Sequence, residues 1–83
     1  MKCIYEVPCI ALCPVNGELD RYLVQITTDR VVMCEFIQSV VDSYRSERIT
    51  QEELTARLAE EFCAEVTTTG RHGSVRLYCT VAA

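Results

Sequence analysis

From Lys2 to Pro14 the chain alternates, with Tyr5, Val7, Cys9, Ala11 and Cys13 on one side and Ile4, Ile10 and Leu12 on the other. Successive side chains of a strand point to opposite faces, so two apolar sides predict a strand covered on both. Val15-Asn16-Gly17-Glu18 reads as a turn, because Asn-Gly is the strongest short hairpin signal. A second strand is predicted from Leu19 to Thr28. There Tyr22, Val24, Ile26 and Thr28 alternate with Arg21, Leu23 and Gln25.

After Asp29 the period changes. Val32, Phe36, Ile37, Val40, Val41 and Tyr44 recur at three- and four-residue steps. That spacing predicts an amphipathic helix of about four turns, ending near Arg45 to Arg48, where basic side chains suit the helix dipole. Thr50-Gln51-Glu52-Glu53 fits a capping box, with Thr50 as N-cap and Glu53 three residues on. A second helix should run to about Phe62 and bury Leu54, Leu58 and Phe62. Ala64 to Thr69 reads as a third strand, Gly70-Arg71-His72-Gly73 as a turn and Ser74 to Val81 as a fourth strand.

The order β-β-α-α-β-β predicts an α+β fold: a four-stranded antiparallel sheet with two helices on one face. With no linker or repeat, residues 1–83 make one domain. A chain this short buries only about 60% of its unfolded surface. Its hydrophobic fraction of 49% is more than one small domain needs. The excess, and an apolar second sheet face, predict a homo-oligomer in which symmetry mates cover that face.

Net charge is −4 and Lys2 is the only lysine, which argues against strong non-specific nucleic-acid binding. Arg45, Arg48, Arg71 and Arg76 remain for a local patch. No stretch approaches the roughly 20 apolar residues of a membrane span, and no basic segment precedes an apolar run at the N-terminus. A cytoplasmic location is therefore expected. Six cysteines would suit a secreted disulfide scaffold. With no export signal, few Gly and Pro and long regular elements, reduced thiols fit better. One histidine and no Cys-x-x-Cys leave little basis for zinc.

Among the thiols, Cys13 stands apart. It ends its strand, precedes a proline and abuts a polar turn, whereas Cys3, Cys9, Cys63 and Cys79 read as small buried hydrophobes. Asp20 opens the next strand. A thiol and a carboxylate placed there can face one small volume as nucleophile and proton donor, the pair that addition to an electrophilic carbon such as a nitrile requires. Asp20 alone would pass for an ordinary turn residue. Glu52 lies in a first helical turn, where the dipole alone explains an acid. With Glu53 assigned to the cap, however, Glu52 is free to accept paired N–H donors from a purine or pterin edge. By pattern alone Gln51 reads as a surface residue and His72 as an exposed turn histidine.

Leu12-Cys13-Pro14-Val15-Asn16-Gly17-Glu18-Leu19-Asp20 resembles the active-site segment of the 7-cyano-7-deazaguanine reductase family, within the tunnelling-fold (T-fold) superfamily. Val41-Asp42-Ser43-Tyr44 through Gln51-Glu52-Glu53-Leu54-Thr55 is similar to that superfamily's helix pair. The resemblance implies the same element order, an oligomeric barrel and active sites between subunits. It implies that Cys13 forms a covalent thioimide with the nitrile carbon, that Asp20 protonates the nitrile nitrogen and that Glu52 anchors the heterocycle. Gln51 and His72 join Glu52 as the expected substrate-binding set.

Two departures refine the expectation. GTP cyclohydrolase I belongs to the same superfamily, but its Cys-x-x-His plus later Cys pattern for zinc is absent, so no metal site is expected. The reductases' Glu-Ser-Lys-Ser-x-Lys-x-Tyr motif for NADPH is replaced by Val32-Met33-Cys34-Glu35-Phe36-Ile37-Gln38-Ser39, which has no lysine. The resemblance is therefore to the reductase-like archaeosine amidinotransferase branch. That branch implies ammonia as co-substrate, no redox cofactor, and 7-cyano-7-deazaguanine as base or in tRNA (or DNA, if phage-derived). NADPH-dependent nitrile reduction, or a non-catalytic purine- or pterin-binding T-fold subunit, are the alternatives.

Overall fold

In a computed structural model, which describes residues 1–82, the elements follow the predicted order. They are β1 (Cys3–Leu12), β2 (Leu19–Thr28), α1 (Cys34–Asp42), α2 (Gln51–Phe62), β3 (Glu65–His72) and β4 (Val75–Val81). The strands form one antiparallel sheet in the order β1-β2-β3-β4. Register sets Val7 opposite Val24, Cys9 opposite Tyr22 and Ile26 opposite Val66, so one parity of each strand faces the helices. Those side chains form the core with Ile37 and Val41 of α1 and Leu54, Leu58 and Phe62 of α2. Complete burial of a leucine such as Leu54 or Leu58 contributes about 2 kcal/mol. The other sheet face mixes exposed Ile4, Leu19, Leu23 and Tyr78 with Glu6, Arg21, Arg71 and Arg76, and is less uniformly apolar than expected.

Three local expectations are corrected. The first hairpin is longer than the expected Val15-Asn16-Gly17-Glu18 turn, because β1 ends at Leu12 and not at Pro14. Leu12 pairs with Leu19 across a six-residue loop. Of its residues only Gly17 takes a positive φ, 74°, whereas a type I′ turn needs two in succession. The second hairpin is tighter than expected. Gly70, Arg71 and His72 belong to β3, and only Gly73 and Ser74 lie between His72 and its partner Val75.

The third correction concerns α1, which has nine residues, about two and a half turns, and no basic side chain in its last turn. Val32 falls before it, giving its N–H to the Tyr5 hydroxyl at 3.0 Å. After Asp42 the chain turns and then runs beside β1. Leu12 N–H donates to the Glu47 carbonyl at 2.9 Å, and Ile49 N–H donates to the Leu12 carbonyl at 3.1 Å. A continued helix would forfeit both bonds. Tyr44 keeps its place in the periodicity because the turn still directs it into the core.

α2 matches its predicted span, with half of the capping box formed. Thr50 Oγ1 accepts from Glu53 N–H at 3.2 Å, while the Glu53 carboxylate pairs with Arg57 at 2.9 Å. At the other end Cys63 is left-handed (φ 48°, ψ 48°). Cys63 N–H reaches Glu60 O and Ala64 N–H reaches Ala59 O, the two bonds of a Schellman stop. The Arg30 guanidinium donates to the carbonyls of Phe62 and Cys63, placing a cation at the negative end of the helix dipole.

Candidate active site

The loop after β1 is held from both sides. Cys13 N–H donates to Glu18 O at 2.7 Å, and Gly17 N–H returns to Cys13 O at 2.8 Å. Asn16 Oδ1 takes the Glu18 N–H at 2.9 Å. Gly17 suits the loop because of its positive φ; the guanidinium of Arg48 also lies over it, 2.6 Å from where a Cβ would stand. Cys13 thus follows a residue bonded to both the neighbouring strand and the 47–49 segment. Cys13 as a residue is half-buried.

Asp20 is the second residue of β2, with Ala11 as its partner on β1, and has the same parity as Tyr22. The Tyr22 hydroxyl donates to Asp20 Oδ2 at 3.2 Å. Burial above all, then the charge and hydrogen bond of Asp20, push the phenol well above its ordinary range, and the nearby Cys13 and Glu52 add to this. Tyr22 therefore stays protonated and acts as a donor.

Gln51 is not a surface residue; it is 1% exposed. Its Nε2 donates to the carbonyls of Thr68 (3.2 Å) and Leu77 (3.0 Å) and to Thr68 Oγ1 (3.1 Å), tying α2 to β3 and β4. Carbonyls only accept, so the amide orientation is fixed and its Oε1 is turned to His72 Nε2, 2.8 Å away. An amide oxygen accepts only, hence His72 Nε2 carries a proton. His72 ends β3 and leans towards the Tyr22 ring, with centroids 6.4 Å apart.

Between these elements lies an open cleft of about 390 Å³. Cys13, Asp20, Gln51, Glu52 and His72 all line it, together with Tyr22. Its apolar lining comes from Pro14, Val15, Val75 and Leu77. The five residues singled out in the sequence thus come from a loop, a strand start, a helix start and a strand end to one volume. No Lys or Arg lines it. Two carboxylates without a cation suit a ligand that presents N–H donors and disfavour phosphate. Among the described residues no three His, Cys, Asp or Glu side chains gather as a metal site. No helix among them is long and apolar enough to cross a membrane.

Sequence reasoning missed Tyr22 as part of the cleft, filing it with the core because it alternates with Val24 and Ile26. The available signal was its place two residues after Asp20 on the same face.

No protein-family model matches the chain, and no curated protein matches it. Among solved structures, it is similar to the archaeosine synthase QueF-Like in the apo form, with a TM-score of 0.92 and 22% identity. The match covers 99% of this chain and 92% of that one. The two share their fold: four antiparallel strands and two helices in β-β-α-α-β-β order, the T-fold of the sequence expectation.

Proposed function

We propose that this chain is an amidinotransferase of the 7-deazaguanine pathway, converting the nitrile of 7-cyano-7-deazaguanine to an amidine with ammonia. The observation that carries the reading is the gathering of Cys13, Asp20, Glu52 and His72 around one cleft with room for a nucleobase. The likeness in fold to an archaeosine synthase supports it.

The roles follow from chemistry. Cys13 Sγ adds to the nitrile carbon while the nitrogen takes the Asp20 proton, giving a thioimide; the thiol proton restores Asp20. Ammonia then adds to the thioimide carbon, a proton passes from the new nitrogen to sulfur, and the C–S bond breaks. The amidine leaves and the Cys13 thiol returns. No electrons are transferred, so no redox cofactor is needed. Glu52 accepts the two parallel N–H donors of the guanine-type edge. His72 contacts the base, and Gln51 contributes through the orientation it gives that ring. The base is carried in tRNA, with Arg45, Arg48, Arg71 and Arg76 available to its phosphates, and a homo-oligomer brings neighbouring subunits to the open side of the cleft.

The test is intact mass after incubation with 7-cyano-7-deazaguanine. Wild type should gain one covalent equivalent and Cys13→Ala none. Ammonium should then discharge the adduct as the amidine, while NADPH should leave it in place. An adduct that survives in Cys13→Ala, or no adduct on wild type, would refute the thioimide. Discharge by NADPH alone would replace amidinotransfer with reduction.

A further inference from the structure

We propose that Tyr22 is a positioning residue for Asp20, engaging one carboxyl oxygen so that the transferable proton sits on the other. The inference rests on the thioimide reading of the cleft.

Tyr22 and Asp20 are two apart on β2 and therefore emerge on the same face. The phenol oxygen lies 3.2 Å from Asp20 Oδ2, and the side chain is 4% exposed. Its ring is confined by its neighbours in register, Cys9 on β1 and Gly70 on β3. A Cβ on Gly70 would come within 2.6 Å of the ring Cδ1, so β3 leaves just the width of the ring. An anchor this fixed aims its donor in one direction. A carboxyl oxygen already accepting a hydrogen bond has a lone pair engaged, and the proton then resides on its twin. Transfer to a nitrile nitrogen needs that twin turned to the cleft, because proton transfer requires hydrogen-bond reach.

The other titratable groups facing Asp20 are Cys13 on the loop, Glu52 on α2 and His72 at the end of β3. Its partner Ala11 on β1 and the cleft residues Val75 and Leu77 of β4 carry no charge. A tyrosine serving the core alone would also bury its ring here, but its hydroxyl would not set the rate of the chemical step at saturating ligand.

The experiment follows the rate of adduct formation against 7-cyano-7-deazaguanine concentration by intact mass, for wild type, Tyr22→Phe and a protein carrying 3-fluorotyrosine at position 22. The phenylalanine variant should react roughly tenfold more slowly at saturating ligand. Its half-saturating concentration should stay within about twofold of wild type, because the phenol orients the acid and does not touch the base. Fluorotyrosine, a stronger donor of nearly the same shape, should change the saturating rate at unchanged half-saturation and stands as the test if Tyr22→Phe does not fold. A saturating rate unmoved in both variants, or a loss confined to half-saturation, while wild type still forms the adduct would overturn the role of Tyr22 and leave that of Cys13 intact. Failure of wild type to form any adduct would overturn both.

Discussion

Gly70 shows how much of the cleft depends on one missing methyl group. It sits in mid-strand without a positive φ, so conformational freedom is not its reason. A Cβ there would lie 2.6 Å from the Tyr22 ring and 2.8 Å from Gln51 Oε1, and the two side chains would have to part. Gly70→Ala should therefore cost about 1–3 kcal/mol, the usual penalty for overpacking. Urea denaturation measures it, and an unchanged midpoint would show that the ring simply slides. Gln51 carries the same lesson in reverse. Its pattern reads as surface because polar residues are normally solvated, yet all its polar atoms are bonded inside. Threonines 55 and 68 complete that network, their hydroxyls 2.7 Å apart. Sequence spacing does not reveal that four separated polar residues satisfy one another.

At the scale of elements, α2 was legible from end to end because its start and its apolar spacing are local features. Its stop was not marked by glycine. Cys63 occupies the left-handed position, which strains any residue bearing a Cβ. Cys63→Gly keeps both Schellman bonds and should raise stability by about 1 kcal/mol. The urea midpoint would move up; a fall would mean that the exposed Cys63 side chain makes a contact of greater value than the strain. The length of α1 was overread for the opposite reason. Val32 and Tyr44 obey helical spacing while lying outside the helix. Burial constrains where a side chain points, and turns can satisfy it as well as a helix can.

For the whole molecule, several acidic groups are kept neutral by the fold. Burial above all, then the charge of Asp42, pushes the Cys9 thiol up to about 11. Burial also holds Tyr44 above its ordinary range, with the hydrogen bond and charge of Glu61 adding to it, and Tyr22 behaves alike. Above the ordinary thiol value the unfolded chain binds fewer protons than the native one, so stability falls as pH rises. The contribution of Cys9 is complete below about pH 9 and is lost as pH climbs through about 11. Thermal midpoints should therefore hold up to about pH 9 and decline beyond it, and Cys9→Ala should decline less steeply. Equal slopes would assign alkaline sensitivity to the tyrosines. The helix-free face leaves Ile4, Leu19, Leu23 and Tyr78 exposed.

Alternation and period determined the element order, the α+β class and the residues of the inner face, because those properties repeat within a few positions. The Cys13 to Asp20 segment was legible for the same reason: both residues flank one short loop. What only the tertiary structure decided depends on strands meeting across the sheet and on α2 meeting β3 and β4. It placed His72 at a strand end against Gln51, fixed the proton on His72 Nε2, and set Tyr22 between Gly70 and Asp20. These contacts join residues distant along the chain or depend on register, which a linear pattern does not specify.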